Sequence, residues 1–263
     1  MGALFIENMS WEAFRDAVGG DPVVVIPMGS TELEGPHLPL GTDTIVADGI
    51  ARRLTGDSRI LIGPTLPIGY SKWFLPYPGT ITLETETLIR VLVEYTGSLI
   101  TAGIKRFVFL NAHKGNNCAI ESASRRILQE HQVRIGMLSI WKLANDLCAV
   151  KDQMAEEGRF THSGELMTSA VMAFAPETVV KNRIRADTVK PLENSALNLK
   201  NSLGETEFMG SVQIIFQKIQ DVTDSGTLGD PTAATAEKGE AVIRRIVEYV
   251  GTFLDEFLKL PLD

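Results

Sequence analysis

Apolar and polar positions alternate along this chain in two distinct rhythms. Val23, Val24, Val25 and Ile26 form an unbroken, mostly β-branched run, which predicts a strand over 23–27 buried on both faces of a parallel sheet. Thr42 or Asp43 then caps a predicted helix reaching 54, with Ile45, Val46, Ile50 and Leu54 spaced along one side. The same reading gives a strand over 59–62, a helix over 84–102 stopped by Gly103, and a strand over 106–110. A helix over 116–131, a strand over 133–140 and a long amphipathic helix over 233–258 follow. Repetition of strand, loop and helix predicts an α/β fold with a mainly parallel sheet. The stretch 181–222 is the least regular and is expected to hold an antiparallel edge hairpin or a subunit contact. No linker divides the chain, so 1–263 is expected to be a single domain.

Polar residues collect where the predicted strands end, and in parallel sheets that edge carries ligands. After the first strand comes Gly29-Ser30-Thr31-Glu32-Leu33-Glu34-Gly35-Pro36-His37, with Asp43 at the following helix. Glu32 and Glu34 are two apart, so an extended backbone points both the same way. Three acids crowded at one strand end either spread into solvent or gather around a cation, and a divalent ion offsets their repulsion. After a later strand stands His113, followed by Lys114, Gly115 and Asn116. A third cluster, Thr161-His162-Ser163-Gly164-Glu165, opens a helix-like segment and sets His162 and Glu165 on one face if helical. Each cluster has an ordinary alternative: a solvated loop, a structural histidine, a helix cap. Together they supply four carboxylates and three histidines, enough for a two-metal site.

Composition narrows the classes. Apolar residues make up 44% and charged residues 22% of the 263 residues, which excludes disorder, and two cysteines exclude a disulfide scaffold. Cys118 and Cys148 are expected to be buried thiols of a reducing, cytoplasmic setting. The net charge of −8 argues against nucleic acid as a partner. No apolar run approaches membrane-spanning length, and Glu7 directly after a start without basic residues argues against a signal peptide.

The ordered motifs resemble the creatininase (creatinine amidohydrolase) family. Gly29 to Asp43 is similar to its G-[AS]-x-E-Q-H-G-P-H-L-P-L-x-T-D signature, and Asn111 to Asn116 to its N-G-H-G-G-N. His162 to Ser169 resembles H-A-G-E-x-E-T-S, Pro78-Gly79-Thr80 stands as P-G-T, and Gly229 to Gly239 resembles a late G-D-P-x-x-A-T-x-E-K-G. The resemblance implies a three-layer α/β/α sandwich and a metal-dependent hydrolase, often a homohexamer. It implies divalent ions, two per subunit, of zinc, manganese or iron. Carried over, the ligand positions are Glu32, Glu34, Asp43, His113 and Glu165, with Asp43 bridging the two ions and His162 as acid/base beside Glu165.

Several positions depart from the family pattern. Glu34 replaces a histidine, which leaves an oxygen-rich site and shifts the expected preference from zinc toward manganese, iron or magnesium. Phe74 falls near a frequent histidine position, Lys114 replaces a glycine and Met167 a glutamate. Lys114, Trp73, Phe74 and His37 are the expected substrate-side residues: Lys114 as a cation for a carbonyl or anionic oxygen, Trp73 and Phe74 as a cover over the 70–77 loop, and His37 as a substrate contact or a partner of a metal-ligating carboxylate. The expected reaction is hydrolysis of a cyclic or other amide C–N bond in a small molecule by an activated water. Ring opening of a cyclic, inositol-type diketone at a C–C bond is the alternative, and a non-catalytic metal- or ligand-binding relative is a third.

Overall fold

The computed structural model of the chain describes residues 4–54, 59–148, 161–200 and 204–262. Its elements run β1 (Leu4–Phe5), α1 (Trp11–Val18), β2 (Val23–Met28), α2 (Thr42–Arg53), β3 (Ile60–Ile62), α3 (Thr85–Thr101), β4 (Arg106–Asn111) and α4 (Asn117–Glu130). Next come β5 (Arg134–Ser139), α5 (Ile140–Cys148), α6 (Glu165–Phe174), β6 (Asn198–Leu199), β7 (Glu205–Phe208), β8 (Ser211–Ile214), α7 (Ile219–Val222) and α8 (Ala236–Leu258).

Five strands form one sheet in the order β1-β3-β2-β4-β5, all pairs parallel. Because successive side chains of a strand point to opposite faces, β2 feeds two cores at once. Val23 and Val25, with Val108 and Leu110, pack against apolar residues of α2, α5, α6 and α8. Val24, Ile26 and Met28, with Phe107 and Phe109, pack against α1, α3 and α4. The result is the three-layer α/β/α sandwich. From β2 the chain moves outward to β3, then returns to the other side of β2 for β4. The switch point therefore lies between β2 and β4, whose last residues, Met28 and Asn111, are in register. The loops after these two strands leave side by side, in the crevice where open sheets bind ligands.

Helix α8 closes one layer. The ideal Cβ of Gly239 would lie 1.9 Å from the Ser169 carbonyl oxygen of α6, so any side chain there would separate the two helices. The Thr235 amide also donates to Ser169 Oγ at 3.2 Å.

Some elements differ from the sequence expectation. Helix α8 begins at Ala236 rather than 233, because Thr235 accepts from the Lys238 amide as the cap and Pro231–Ala233 form a separate 3-10 turn. Strand β5 stops at Ser139, and Ile140 opens α5, which the periodicity had merged into the strand's end. Helix α1 was not anticipated; Ser10 caps it through the Ala13 amide at 3.2 Å. The irregular stretch does hold an antiparallel hairpin, but β6, β7 and β8 form their own small sheet rather than an edge of the main one. Cys118 is exposed, a correction of the buried thiol: the buried positions of α4 are Ala119, Ile120, Ala123 and Ile127, and residue 118 points away from them. The side chain of Cys148 lies outside the described residues. Among the described residues no helix is long and apolar enough to cross a membrane.

Candidate metal centre at the sheet switch point

The first loop is held tightly where it leaves β2. An added Cβ at Gly29 would meet the backbone of Thr44 at 2.4 Å, so the glycine lets the strand end lie directly on the first turn of α2. This contact sets Ser30 Oγ to donate to Asp43 Oδ2 at 3.0 Å. Between the two glutamates, the Leu33 amide donates to Thr80 Oγ1 at 3.2 Å, and that hydroxyl donates to the Phe74 carbonyl at 3.1 Å. The threonine of the P-G-T motif thus ties the glutamate loop to the aromatic turn.

The loop after β4 is fixed by its asparagines. Asn111 Nδ2 donates to the His113 carbonyl at 2.7 Å, and the His113 amide donates to Asn111 Oδ1 at 3.1 Å. Asn116 Nδ2 donates to the Gly29 carbonyl at 3.0 Å, and its Oδ1 accepts from the Tyr70 amide at 3.0 Å. The motif's asparagines are therefore brackets, and His113 is what they hold. Its Nδ1 lies 3.0 Å from Asp43 Oδ2, and its Nε2 lies 2.8 Å from the Tyr70 carbonyl and 3.3 Å from Glu32 Oε2. Asp43 Oδ1 accepts from Trp141 Nε1 at 2.9 Å.

The third cluster comes from just before α6. His162 Nε2 lies 3.5 Å from Glu32 Oε1 and 3.4 Å from Glu34 Oε2. Its Nδ1 faces the Gly226 carbonyl at 2.9 Å, which can only accept, so the neutral ring carries its proton there and turns a bare Nε2 toward the carboxylates. Phe74 stacks on the ring at 4.9 Å between centroids.

Two triads result: Glu32, Asp43 and His113, and Glu32, Glu34 and His162, with donor atoms in each within 4.8 Å of one another. All five side chains are buried, and Glu32 and Glu34 are each 1% exposed. Glu32 Oε2, Glu34 Oε1 and His162 Nε2 are buried without a hydrogen-bond partner. Lone pairs facing one another in a buried space are costly unless a positive charge lies among them. The donor set of carboxylate oxygens and one imidazole per triad fits a divalent ion such as manganese, zinc or iron. Electrostatics agree. Burial, then Asp43 and Glu32, hold the Glu34 carboxyl well above the usual carboxylate range, against the lowering effect of the Ser163 hydroxyl. Burial works against a charged His113 ring, yet Glu32, Asp43 and the Tyr70 carbonyl together hold it up at about 9.

Of the residues singled out from sequence, Glu32, Glu34, Asp43, His113 and His162 converge here. Glu165 does not join either triad; it is fully buried and ion-paired with Lys238 Nζ of α8 at 2.5 Å. His37 turns its Nε2 to Thr168 Oγ1 at 2.9 Å, and burial pushes its pKa down to about 4. Lys114 is on the surface, 57% exposed, with Nζ 3.8 Å from Glu205 of β7. Phe74 covers His162, and Trp73 donates from Nε1 to the Gln217 carbonyl at 2.6 Å. Trp141, Ser30 and Ser163 hydrogen-bond the site carboxylates and are not among the residues singled out from sequence. Ser30 and Ser163 stand inside motifs, and Trp141 has only its place just past a strand end to signal it.

A family model described as creatinine amidohydrolase matches residues 7–254. The chain belongs to the creatininase family. That family is one of metal-dependent amidohydrolases. The chain is 30% identical over 240 residues to the mycofactocin precursor peptide peptidase of Mycobacterium tuberculosis (strain ATCC 25618 / H37Rv), covering 86% of this chain and 82% of that protein. It is 26% identical over 198 residues to the creatinine amidohydrolase of Pseudomonas putida, covering 69% and 76%. A 3-dehydro-scyllo-inosose hydrolase of Thermotoga maritima is 22% identical over 266 residues, covering 97% and 84%. Among solved structures, a creatinine amidohydrolase superposes with a TM-score of 0.81 at 21% identity, covering 98% of this chain and 99% of that one. A zinc–zinc form of a creatininase variant superposes with a TM-score of 0.80 at 21% identity, covering 99% and 100%. The creatininase fold anticipated from the motifs is the fold observed.

Proposed function

We propose that this creatininase-family protein hydrolyses an amide C–N bond with two divalent cations. Glu32, Asp43 and His113 would hold one ion, and Glu32, Glu34 and His162 the other. The observation that carries the reading is the convergence of these triads on three buried donor atoms that have no hydrogen-bond partner. Such ions acidify water toward neutral pH and polarise a carbonyl oxygen. The chain's own residues prepare that chemistry. Trp141 and Ser30 fix the Asp43 carboxylate, and the Tyr70 carbonyl fixes the His113 ring, so neither side chain has to reorganise. Phe74, stacked on His162, would shield that ring from bulk water.

Glu32 is common to both triads, so it would serve both ions, a role that the family resemblance gives to Asp43. His162 has one ring atom open to the site, and that bare nitrogen would either ligate an ion or take a proton from the attacking water and pass it to the departing nitrogen. Relatives named as a peptide peptidase and an amidohydrolase support an amide as the substrate class. Ring opening of a cyclic, sugar-derived diketone is the second reading, favoured by the likeness to the 3-dehydro-scyllo-inosose hydrolase over 97% of the chain.

Metal analysis of the purified protein, joined to assays for released amine and for ring-opened keto acid, tests both. Two ions per chain and amine release are expected. Keto acid without amine selects the second reading. One ion per chain returns His162 to proton transfer. A protein that neither retains nor binds divalent ions refutes the proposal.

A further inference from the structure

Ser163 stands between His162 and Glu34. It is fully buried, and its φ of 58° is in the left-handed region that side chains other than glycine's avoid. Of the non-glycine residues with positive φ among the described residues, it alone stands at the candidate metal centre. The neighbourhood holds it in that conformation. Its amide donates to Met167 Sδ at 3.3 Å, and its carbonyl accepts from the Thr168 hydroxyl at 3.4 Å. That hydroxyl in turn lies 2.9 Å from His37 Nε2. The conformation places Ser163 Oγ 3.2 Å from Glu34 Oε2, to which it donates, and 3.2 Å from His162 Nδ1. One hydroxyl thus touches two of the three residues of the Glu32–Glu34–His162 triad, and no hydrogen bond joins it to Asp43 or His113 of the other.

Two sequence departures meet here. The family pattern has histidine at position 34 and alanine at position 163; this chain has a glutamate and a serine, joined by a hydrogen bond. A glutamate has three side-chain torsions, the last of them broad, where a histidine has two, so more freedom has to be removed to hold its ligating atom in place. A donor fixed on one oxygen removes that freedom. It occupies Oε2 and leaves Oε1, which has no hydrogen-bond partner.

We propose that Ser163 is a positioning residue that holds Glu34 for the second cation, so that the strained serine compensates for the loss of a histidine at position 34. The inference rests on the two-cation reading above, and its test separates the two. Metal-stripped full-length wild type, Ser163→Ala and Ser163→Gly are titrated calorimetrically with Mn²⁺ and with Zn²⁺, and each metal-free protein is melted. Wild type is expected to bind two equivalents. Both variants are expected to keep one equivalent at wild-type affinity and to bind the other at least tenfold more weakly, as loss of an outer hydrogen bond does at metal sites. Ser163→Gly, which relieves the φ, is expected to melt no lower than wild type when metal-free. Identical titrations for all three proteins overturn the assignment. So does an equal weakening of both equivalents accompanied by lower melting of both variants, which marks a purely structural serine. A wild type that binds neither metal removes the two-cation reading and this one with it.

Discussion

Glu34→Gln should make the metal-free protein more stable and the metal-loaded protein less so. The Glu34 carboxyl is buried beside Glu32 and Asp43, and its pKa is raised by burial first and by those two acids next. The donor oxygens of Glu32 and Glu34 lie within 4.8 Å of each other. Two like charges at that separation repel by about 3 kcal/mol at an effective dielectric of about 20. The raised pKa means that proton uptake relieves part of this repulsion, so the expected gain on neutralising Glu34 is roughly 1–3 kcal/mol. For a chain of this size each kcal/mol moves the melting temperature by about 2–4 °C. A rise of roughly 2–12 °C is therefore expected at pH 8, and a smaller one at pH 6, where more of the wild-type carboxyl is protonated. Glutamine keeps the shape and can still accept from Ser163. It brings no negative charge to a cation, so the upward shift that Mn²⁺ gives wild type should shrink. Thermal melts of stripped protein with and without Mn²⁺ at both pH values make the comparison. A metal-free Glu34→Gln protein that melts below wild type, or an unchanged Mn²⁺ shift, refutes the reasoning.

Four further outcomes follow from the same geometry. His113 has its pKa held at about 9 against an ordinary 6.5, so the folded metal-free protein binds more protons than the unfolded one between these values. Its stabilising effect, at most about 3 kcal/mol, is complete below pH 6.5 and lost as pH rises through 9; melts of stripped protein should fall across that window, and a flat profile contradicts the His113 contacts. Trp141→Phe deletes the Nε1 donor to Asp43 and should weaken divalent-ion binding by about tenfold in a calorimetric titration, with an undiminished affinity excluding the tryptophan as an orienting group. Phe74→Ala removes the face covering His162 and should let a chelator strip bound metal several-fold faster; an unchanged stripping rate locates the entrance elsewhere. Gly239→Ala places a methyl on the Ser169 carbonyl and should destabilise by about 1–3 kcal/mol in denaturant melts, whereas a neutral result would mean that α6 and α8 separate easily.

The layered fold was legible because parallel strands buried on both faces leave unmistakable runs, as at Val23 to Ile26, and because α3 stops just before Gly103; Thr42 and Asp43, expected to cap α2, are instead its first two residues behind Gly41, and neither side chain caps it. Helix α1 was missed although Phe14, Ala17 and Val18 share one side, because it is only eight residues long and none of them is fully buried. Strand β5 and helix α5 meet without a breaker at Ser139 and Ile140, and periodicity alone cannot divide such a run. At the site, local spacing pointed to Glu32, Glu34, Asp43 and His113 as residues that chemistry needs. Which partner each one takes was not legible, because those partners are distant in sequence. Lys238 reaches Glu165 across 73 positions and Trp141 reaches Asp43 across 98, and only the packing of α8 on α6 and of α5 beside β5 brings them together.

The residues of the two triads become available at different chain lengths. Glu32, Asp43 and His113 are all present once residue 113 has been synthesised, together with the strands β2 and β4 that carry them. Glu34 is present by then, but its triad waits for His162. The layer that encloses α6 waits longer still, for α8 near the carboxyl terminus. A nascent chain on the ribosome thus carries every residue of one candidate triad well before it carries the last residue of the other.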